Sequence, residues 1–280
     1  MADILSYQCS NLSPCWYHVG LMDVREHNKK AWDRMAGEGC EWTIPVTPEV
    51  IARARKGEWT LSLIMKPVPG EWLGDIKGVR VLCLAASGGQ QAPILAAAGA
   101  VVTVLDNSPA QLARDREVAE RDNLAIETVE GDMADLSRFA SASFGLVVNA
   151  ISTHCVPDVR NVWRECFRVL KPGGVFIMGF TNPHLYMFDD ELGPDYHTLK
   201  AVHKLPYSDV TDSSEERKRL LEEKLIPVEF SHTMEEMVGG QMEAGFLLTG
   251  FVESSDTRPE REPVADYMPL FFMTRAVKPA

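Results

Sequence analysis

Five short apolar runs, whose starts fall about 20 to 30 residues apart, dominate the middle of the chain. They are Val79–Leu84 (VRVLCL), Ala100–Leu105 (AVVTVL), Ala125–Val129 (AIETV), Gly145–Asn149 (GLVVN) and Val175–Phe180 (VFIMGF). Most show little polar alternation, as strands covered on both faces do. Helix-like segments lie between them: Gln90–Ala98, Pro109–Arg121 with proline at its first position, a short one at Ala134–Phe139, and Asp158–Leu170. Strand and helix alternating at this spacing read as right-handed crossovers, which predicts an α/β fold with a doubly wound parallel sheet. The tail differs. Ser231–Ala244 reads as a helix, and Phe246–Glu253 and Tyr267–Val277 as two strands that pair antiparallel at the sheet edge.

Segments on either side of this core look like additions. Residues 1–78 hold five of the six tryptophans and several proline breaks, and residues 181–227 hold Pro183, Pro194, Pro206 and the charged run SSEERKRLLEEK. The domain reading is therefore an N-terminal cap over 1–78, a core over 79–180 and 228–280, and an inserted cap over 181–227. A formal charge of −12 argues against nucleic acid as the main partner. No apolar run approaches the ~20 residues of a membrane span, and MADILSYQCS lacks the basic start of a secretory signal, so the expectation is a cytoplasmic protein with no membrane partner. Six scattered cysteines with no CxxC pair fit reduced thiols. Cys9, Cys15 and His18 lie close in sequence without an evident fourth ligand, so ordinary packing is favoured and no metal is expected.

In an open parallel sheet, ligands bind beyond the carboxyl ends of the strands. The stretch VLCLAASGGQQAP, residues 81–93, turns there, and Ser87, Gly88 and Gly89 are expected to let a ligand approach the backbone N–H groups at the start of the next helix. Tight packing is the other reading of the same turn. Asp106 ends the second strand, where a carboxylate accepts from ribose hydroxyls or serves only the turn before Ser108 and Pro109. In EGDMADL, Asp132 can accept from an adenine amino group, with Met133 packed on the ring, or simply cap a turn. No G-x-G-x-x-G is present, and FRVLKPGGVFIMGF adds a helix-to-strand turn.

The order VLCLAASGG, VLDNSPAQL, EGDMADL, SFGLVVNAIS, FRVLKPGG and MEAGFLLTGFVE resembles the class I S-adenosylmethionine-dependent methyltransferases, in their small-molecule, type 11-like branch. The resemblance covers roughly residues 79–180 and 231–280. It implies a Rossmann-like, seven-stranded, mostly parallel sheet with an antiparallel last strand, and S-adenosylmethionine as cofactor. It also implies that Ala85, Ala86, Ser87, Gly88 and Gly89 meet the methionine and ribose, that Asp106 and Asn107 meet the ribose, that Asp132 and Met133 meet adenine, and that Ala150, Ile151 and Ser152 flank the methionine portion. The chain departs from the family where Cys83 replaces an acidic residue and where Ala85 and Ser87 replace glycines.

Methyl transfer is an in-line displacement that needs alignment and exclusion of water. The caps are where an acceptor pocket is expected. Val24–Ala36 reads as a helix with Asn28 and Trp32 on one face, facing the cofactor, while Trp42 and Trp59 follow in loops. His154, just past the fourth strand, is the first candidate base, followed by His184 and Tyr186 after the fifth, with His18 and Tyr17 weaker. Asp189, Asp190, Glu191 and Asp195 lean slightly toward a nitrogen-bearing small-molecule acceptor. Two rivals remain: a non-catalytic nucleoside sensor, and an NAD-dependent oxidoreductase whose ribose Asp106 would serve equally. An oligomer is compatible with this reading.

Overall fold

The computed structural model describes residues 18–19, 22–188, 200–255 and 263–280. Seven strands form one sheet: β1 Arg80–Leu84, β2 Val101–Asp106, β3 Ile126–Glu130, β4 Phe144–Asn149, β5 Leu170–Thr181, β6 Leu247–Ser254 and β7 Phe271–Val277. Their spatial order is β3-β2-β1-β4-β5-β7-β6. The first five are parallel, and β7 runs antiparallel between β5 and β6. This is the expected doubly wound sheet with an antiparallel strand near its edge. The Pro-Gly-Gly turn lies inside β5, where the register to β4 shifts and the Gly173 N–H bonds Lys278 O at 2.8 Å.

Helices α1 Val24–Glu38, α2 Pro48–Ala54, α3 Gly70–Leu73, α4 Gln91–Ala97, α5 Pro109–Asp122, α6 Val159–Val169, α7 Glu215–Glu223 and α8 Gly240–Glu243 complete the fold. Alternate residues of β1 enter opposite cores. Leu82 and Leu84 join Trp163 and Cys166 of α6 on one face, while Val81 and Cys83 join Leu95 of α4 and Leu112 of α5 on the other. That second core also takes Leu61, Ile64, Val68 and Ile76, so the N-terminal segment divides in function. Its later part covers the sheet, and α1 covers the strand ends.

One local expectation fails and a second is adjusted. Residues 134–139 form turns and no helix, because Asp132 Oδ1 takes the Ala134 N–H at 2.8 Å and Asp135 Oδ1 takes the Ser137 N–H at 3.0 Å. Short acidic side chains competing for backbone donors favour turns over helix. The helix expected over 231–244 is present as one helical stretch over 234–243, its Glu235–Gly239 turn of the π type leading into α8, and it starts late because Thr233 Oγ1 takes the Glu236 N–H at 3.1 Å. Among the described residues no helix is long and apolar enough to cross a membrane.

Candidate active site

The strand order reverses between β1 and β4, and a cleft of about 720 Å3, counting its open mouth, lies at their carboxyl ends. Its floor is supplied by the residues that follow β1, β2, β3 and β4 in turn, from Ala85 and Ser87 to Met133 and Ile151. Asn149, fully buried at the end of β4, ties two of these ends together: its Nδ2 donates to Leu84 O at 2.9 Å and to Ser152 Oγ at 2.8 Å.

The turn after β1 separates two kinds of small residue. Ala85 (φ 41°) and Ser87 (φ 50°) line the cleft in the left-handed region that favours glycine, at the two positions where the resemblance expects glycine. Gly88 and Gly89 do not line it. The Gly88 N–H donates to Gln111 Oε1 and the Gly89 N–H to Asp115 Oδ1, each at 2.9 Å. A Cβ on Gly88 would stand 2.5 Å from the Gln111 backbone oxygen, and one on Gly89 would stand 2.9 Å from Pro45 Cβ. These glycines let α5 and the N-terminal segment approach the turn, and their N–H groups, expected at a ligand, are paired with Gln111 and Asp115. Ala86 and Ala150, also expected at the cofactor, sit in the core beneath it. Cys83 is likewise core, and burial pushes its thiol up.

Asp106 reaches the cleft from the end of β2. Its Oδ1 accepts the Ser108 N–H at 2.8 Å, and burial, against the pull of that N–H and with the charge of Asp33 adding to it, raises the carboxyl to about 7. Behind it Asp115 is pushed up to about 8, again chiefly by burial. Asn107, Asp132 and Met133 also line the cleft.

The roof is α1. Arg25, Asn28 and Trp32 share one helical face and all three line the cleft. Each end of the contact is pinned. Asn107 Nδ2 donates to Arg25 O at 2.9 Å, while Asp33 Oδ1 accepts from Ser108 Oγ at 2.6 Å and from the Ala110 N–H at 3.0 Å. Asp33 therefore reinforces the Ser108 cap of α5, where a negative charge is favoured.

A strap from Ile226 to Ser231, where the inserted region runs back into the core, closes the side next to β4. His27 Nε2 bonds Ile226 O at 2.8 Å, and the buried Asn28 amide takes the Val228 N–H at 2.7 Å and returns a bond to Val228 O at 2.9 Å. The Phe230 N–H then bonds His154 O at 2.8 Å, and the Ser231 N–H bonds Tyr207 O at 2.8 Å. Asn28, expected to face the cofactor, spends its hydrogen bonds on the strap and on Cys155 O, to which its Nδ2 donates at 3.4 Å.

His154 sits behind Cys155, which lines the cleft. Its Nε2 lies 3.8 Å from Glu229 Oε1, and among the described residues no hydrogen-bond partner reaches its buried Nδ1. Burial works to lower the imidazole, but the Cys155 sulfur and the Glu229 carboxylate overcome it and raise His154 to about 9. Tyr186 Oη donates to the other oxygen of Glu229 at 2.7 Å, and burial, then that carboxylate, push the phenol well above its ordinary value. Tyr186 thus joins the His154 group, whereas the exposed His184 turns its Nδ1 to Asn182 Oδ1 at 2.9 Å. Cys9, Cys15, Tyr17 and the acidic stretch Asp189, Asp190, Glu191 and Asp195 lie outside the described residues, as does the side chain of His18. Among the described residues no group of three or more His, Cys, Asp or Glu side chains is arranged to hold a metal ion.

This strand order with its antiparallel β7, and a cleft at the switch point with a carboxylate ending β2, define the class I methyltransferase architecture. Residues 82–178 match the methyltransferase domain family. The chain is 46% identical over 253 residues to YbaJ, an uncharacterized methyltransferase of Bacillus subtilis, spanning 90% of this chain and 97% of that one. It is 36% identical over 107 residues to the sterol 24-C-methyltransferase erg6 of Aspergillus fumigatus, a match that covers 37% of this chain and 28% of that protein. The crystal structure of an S-adenosylmethionine-dependent methyltransferase from Mesorhizobium loti superposes with a TM-score of 0.60 at 23% identity, covering 74% of this chain and 94% of that one. The protein belongs to the S-adenosylmethionine-dependent methyltransferases, and S-adenosylmethionine is its cofactor.

The cleft suits that molecule chemically: one carboxylate for a diol, and Leu105, Met133 and Val156 as apolar wall for a purine. When bound, S-adenosylmethionine supplies a methyl group on a positively charged sulfur that is open to in-line displacement. The chain's own part is to fix the nucleoside and to exclude water beneath α1 and the strap.

Proposed function

We propose that the protein transfers the methyl group to a small organic acceptor, with Asp106 accepting from the ribose hydroxyls, Asp132 and Met133 at the adenine, and His154 taking the acceptor's proton. The observation that supports this is the enclosure of the β4 side of the cleft: α1 and the strap cover it, and His154, Glu229 and Tyr186 cluster there behind Cys155. A covered site favours a molecule small enough to enter it. The Glu229 carboxylate, with Asp209 accepting the Glu229 N–H at 2.9 Å, supports a nitrogen-bearing acceptor through charge attraction.

The test incubates the enzyme with methyl-labelled S-adenosylmethionine and either the small-molecule fraction or the macromolecular fraction of a cell extract. Label is expected in small, cation-retained products. Label confined to protein or nucleic acid would overturn the small-molecule reading.

A pH profile tests the base. With His154 raised to about 9, its neutral form grows with pH, so the transfer rate is expected to climb about tenfold per pH unit until it levels near that value. A rate flat between pH 7 and 9, with chemistry rate-limiting, would remove His154 from proton transfer.

A further inference from the structure

We propose that Glu229, delivered by the strap, is a positioning residue for methyl transfer: it holds the His154 imidazole in the orientation from which it takes the acceptor's proton and stabilises the imidazolium that results, and Tyr186 holds Glu229. The proposal deepens the reading of His154 as the base and rests on it.

The argument begins with how the carboxylate is divided. Oε2 accepts from Tyr186 Oη at 2.7 Å, a short bond to a charged acceptor that fixes the plane of the group. Oε1 is then left facing His154 Nε2 at 3.8 Å, close enough to favour the charged imidazole. Its backbone is fixed as well, since the Glu229 N–H reaches Asp209 Oδ2 at 2.9 Å and the next residue, Phe230, bonds His154 O at 2.8 Å. Three separate parts of the chain therefore meet at one carboxylate: the loop after β4, the turn after β5 and the strap.

A proton acceptor delivered by a loop needs such a partner. The groups that face His154 are Cys155 on its own loop, Glu229 on the strap and His232 just beyond it, and Glu229 is the carboxylate among them. His232 is held by its own bond, Nε2 to Thr153 O at 3.1 Å, and its buried ring is lowered by burial and by the charge of His154, so it adds no attraction. An imidazole that takes a proton beside Glu229 gains an ion pair as it does so, which draws the proton from the acceptor as the methyl arrives. Because the strap also carries Val228, bonded to Asn28 of the roof, seating of α1 over the cleft and seating of Glu229 against His154 occur together.

The experiment follows the His154 ring by NMR titration in the full chain with S-adenosylhomocysteine bound, its signal assigned through His154→Asn. Glu229→Gln keeps an acceptor for Tyr186 and removes the charge. Its His154 midpoint is expected to fall by about 1 unit or more, the effect of losing an opposite charge within about 4–6 Å. Glu229→Asp is expected to restore part of the shift, and Tyr186→Phe to lower the midpoint by less than Glu229→Gln. Circular dichroism and the affinity for S-adenosylhomocysteine serve as fold checks. A midpoint in Glu229→Gln that matches wild type would overturn the proposal, as would full restoration by any side chain of similar size. Unchanged methyl transfer by His154→Asn would instead overturn the base reading, whatever the titration of Glu229→Gln shows.

Discussion

Calorimetric titration of Asp106→Ala with S-adenosylhomocysteine is expected to give a dissociation constant at least about 100-fold above wild type. Two hydrogen bonds to an ionised carboxylate contribute about 1.5–3 kcal/mol each, and about 1.4 kcal/mol is a factor of ten, so about 100-fold is the lower end. Asp106→Asn retains an acceptor for the Ser108 N–H and is expected to fall between the two. The pH dependence sharpens the test. In the empty cleft burial holds the Asp106 carboxyl near 7, while donation from ribose hydroxyls favours its ionised form, so binding below that pH must release a proton. Wild-type affinity should therefore weaken about tenfold from pH 8 to pH 6. Loss of that dependence in Asp106→Ala, along with the loss of affinity, would tie both to this carboxylate. Equal affinity of wild type and variant at pH 8 would remove Asp106 from ribose binding.

The sign for stability runs the other way. A buried acid whose folded value lies above its unfolded value near 3.9 stabilises the fold less as pH rises from about 4 through 7. At pH 8, Asp106→Asn is therefore expected to melt no lower than wild type, which keeps lost binding distinct from lost folding.

What the sequence disclosed depended on the range of the interaction. The central strands were legible because both faces are buried, so VLCL and LVV carry uninterrupted apolar character, whereas the edge strand β3 is only partly buried and its AIETV is mixed. Asp106 and Asp132 were legible by position at strand ends. The direction of Gly88 and Gly89 was not, because a glycine that admits a ligand and one that admits a helix look alike along the chain. The distinguishing information sits in Gln111 and Asp115, polar residues one turn apart on the buried side of α5, whose partners are those two N–H groups. Arg25 was within reach: it precedes Asn28 by three residues on the same face. The strap could not be read, since IPVEFS has no period and acquires its role only by lying across α1, the β4 loop and the β5 turn at once.

Two adjacent residues of the turn after β1 are expected to respond with opposite signs. Gly88→Ala places a methyl 2.5 Å from the Gln111 backbone oxygen and 2.9 Å from its Cα, positions that cannot yield without moving α5. Such movement also strains the bond from the Gly88 N–H to Gln111 Oε1. Overpacking costs about 1–3 kcal/mol and an unpaired buried donor about 1–3 kcal/mol, which together give about 2–6 kcal/mol. For a chain of this size that corresponds to a melting point lower by roughly 3–10 °C. Ser87→Gly acts oppositely. At φ 50° serine occupies a conformation that costs about 1–2 kcal/mol, partly offset by glycine's greater freedom when unfolded, so the variant should melt level with wild type or up to a few degrees above it. Binding of S-adenosylhomocysteine then separates the two uses of a small residue. If Gly88→Ala keeps its melting point and loses only affinity, the glycine makes room for the ligand. If it loses melting point while Ser87→Gly keeps both stability and affinity, the glycine makes room for α5, and the strain at Ser87 is tolerated because Gln111 and Asp115 hold the next two N–H groups.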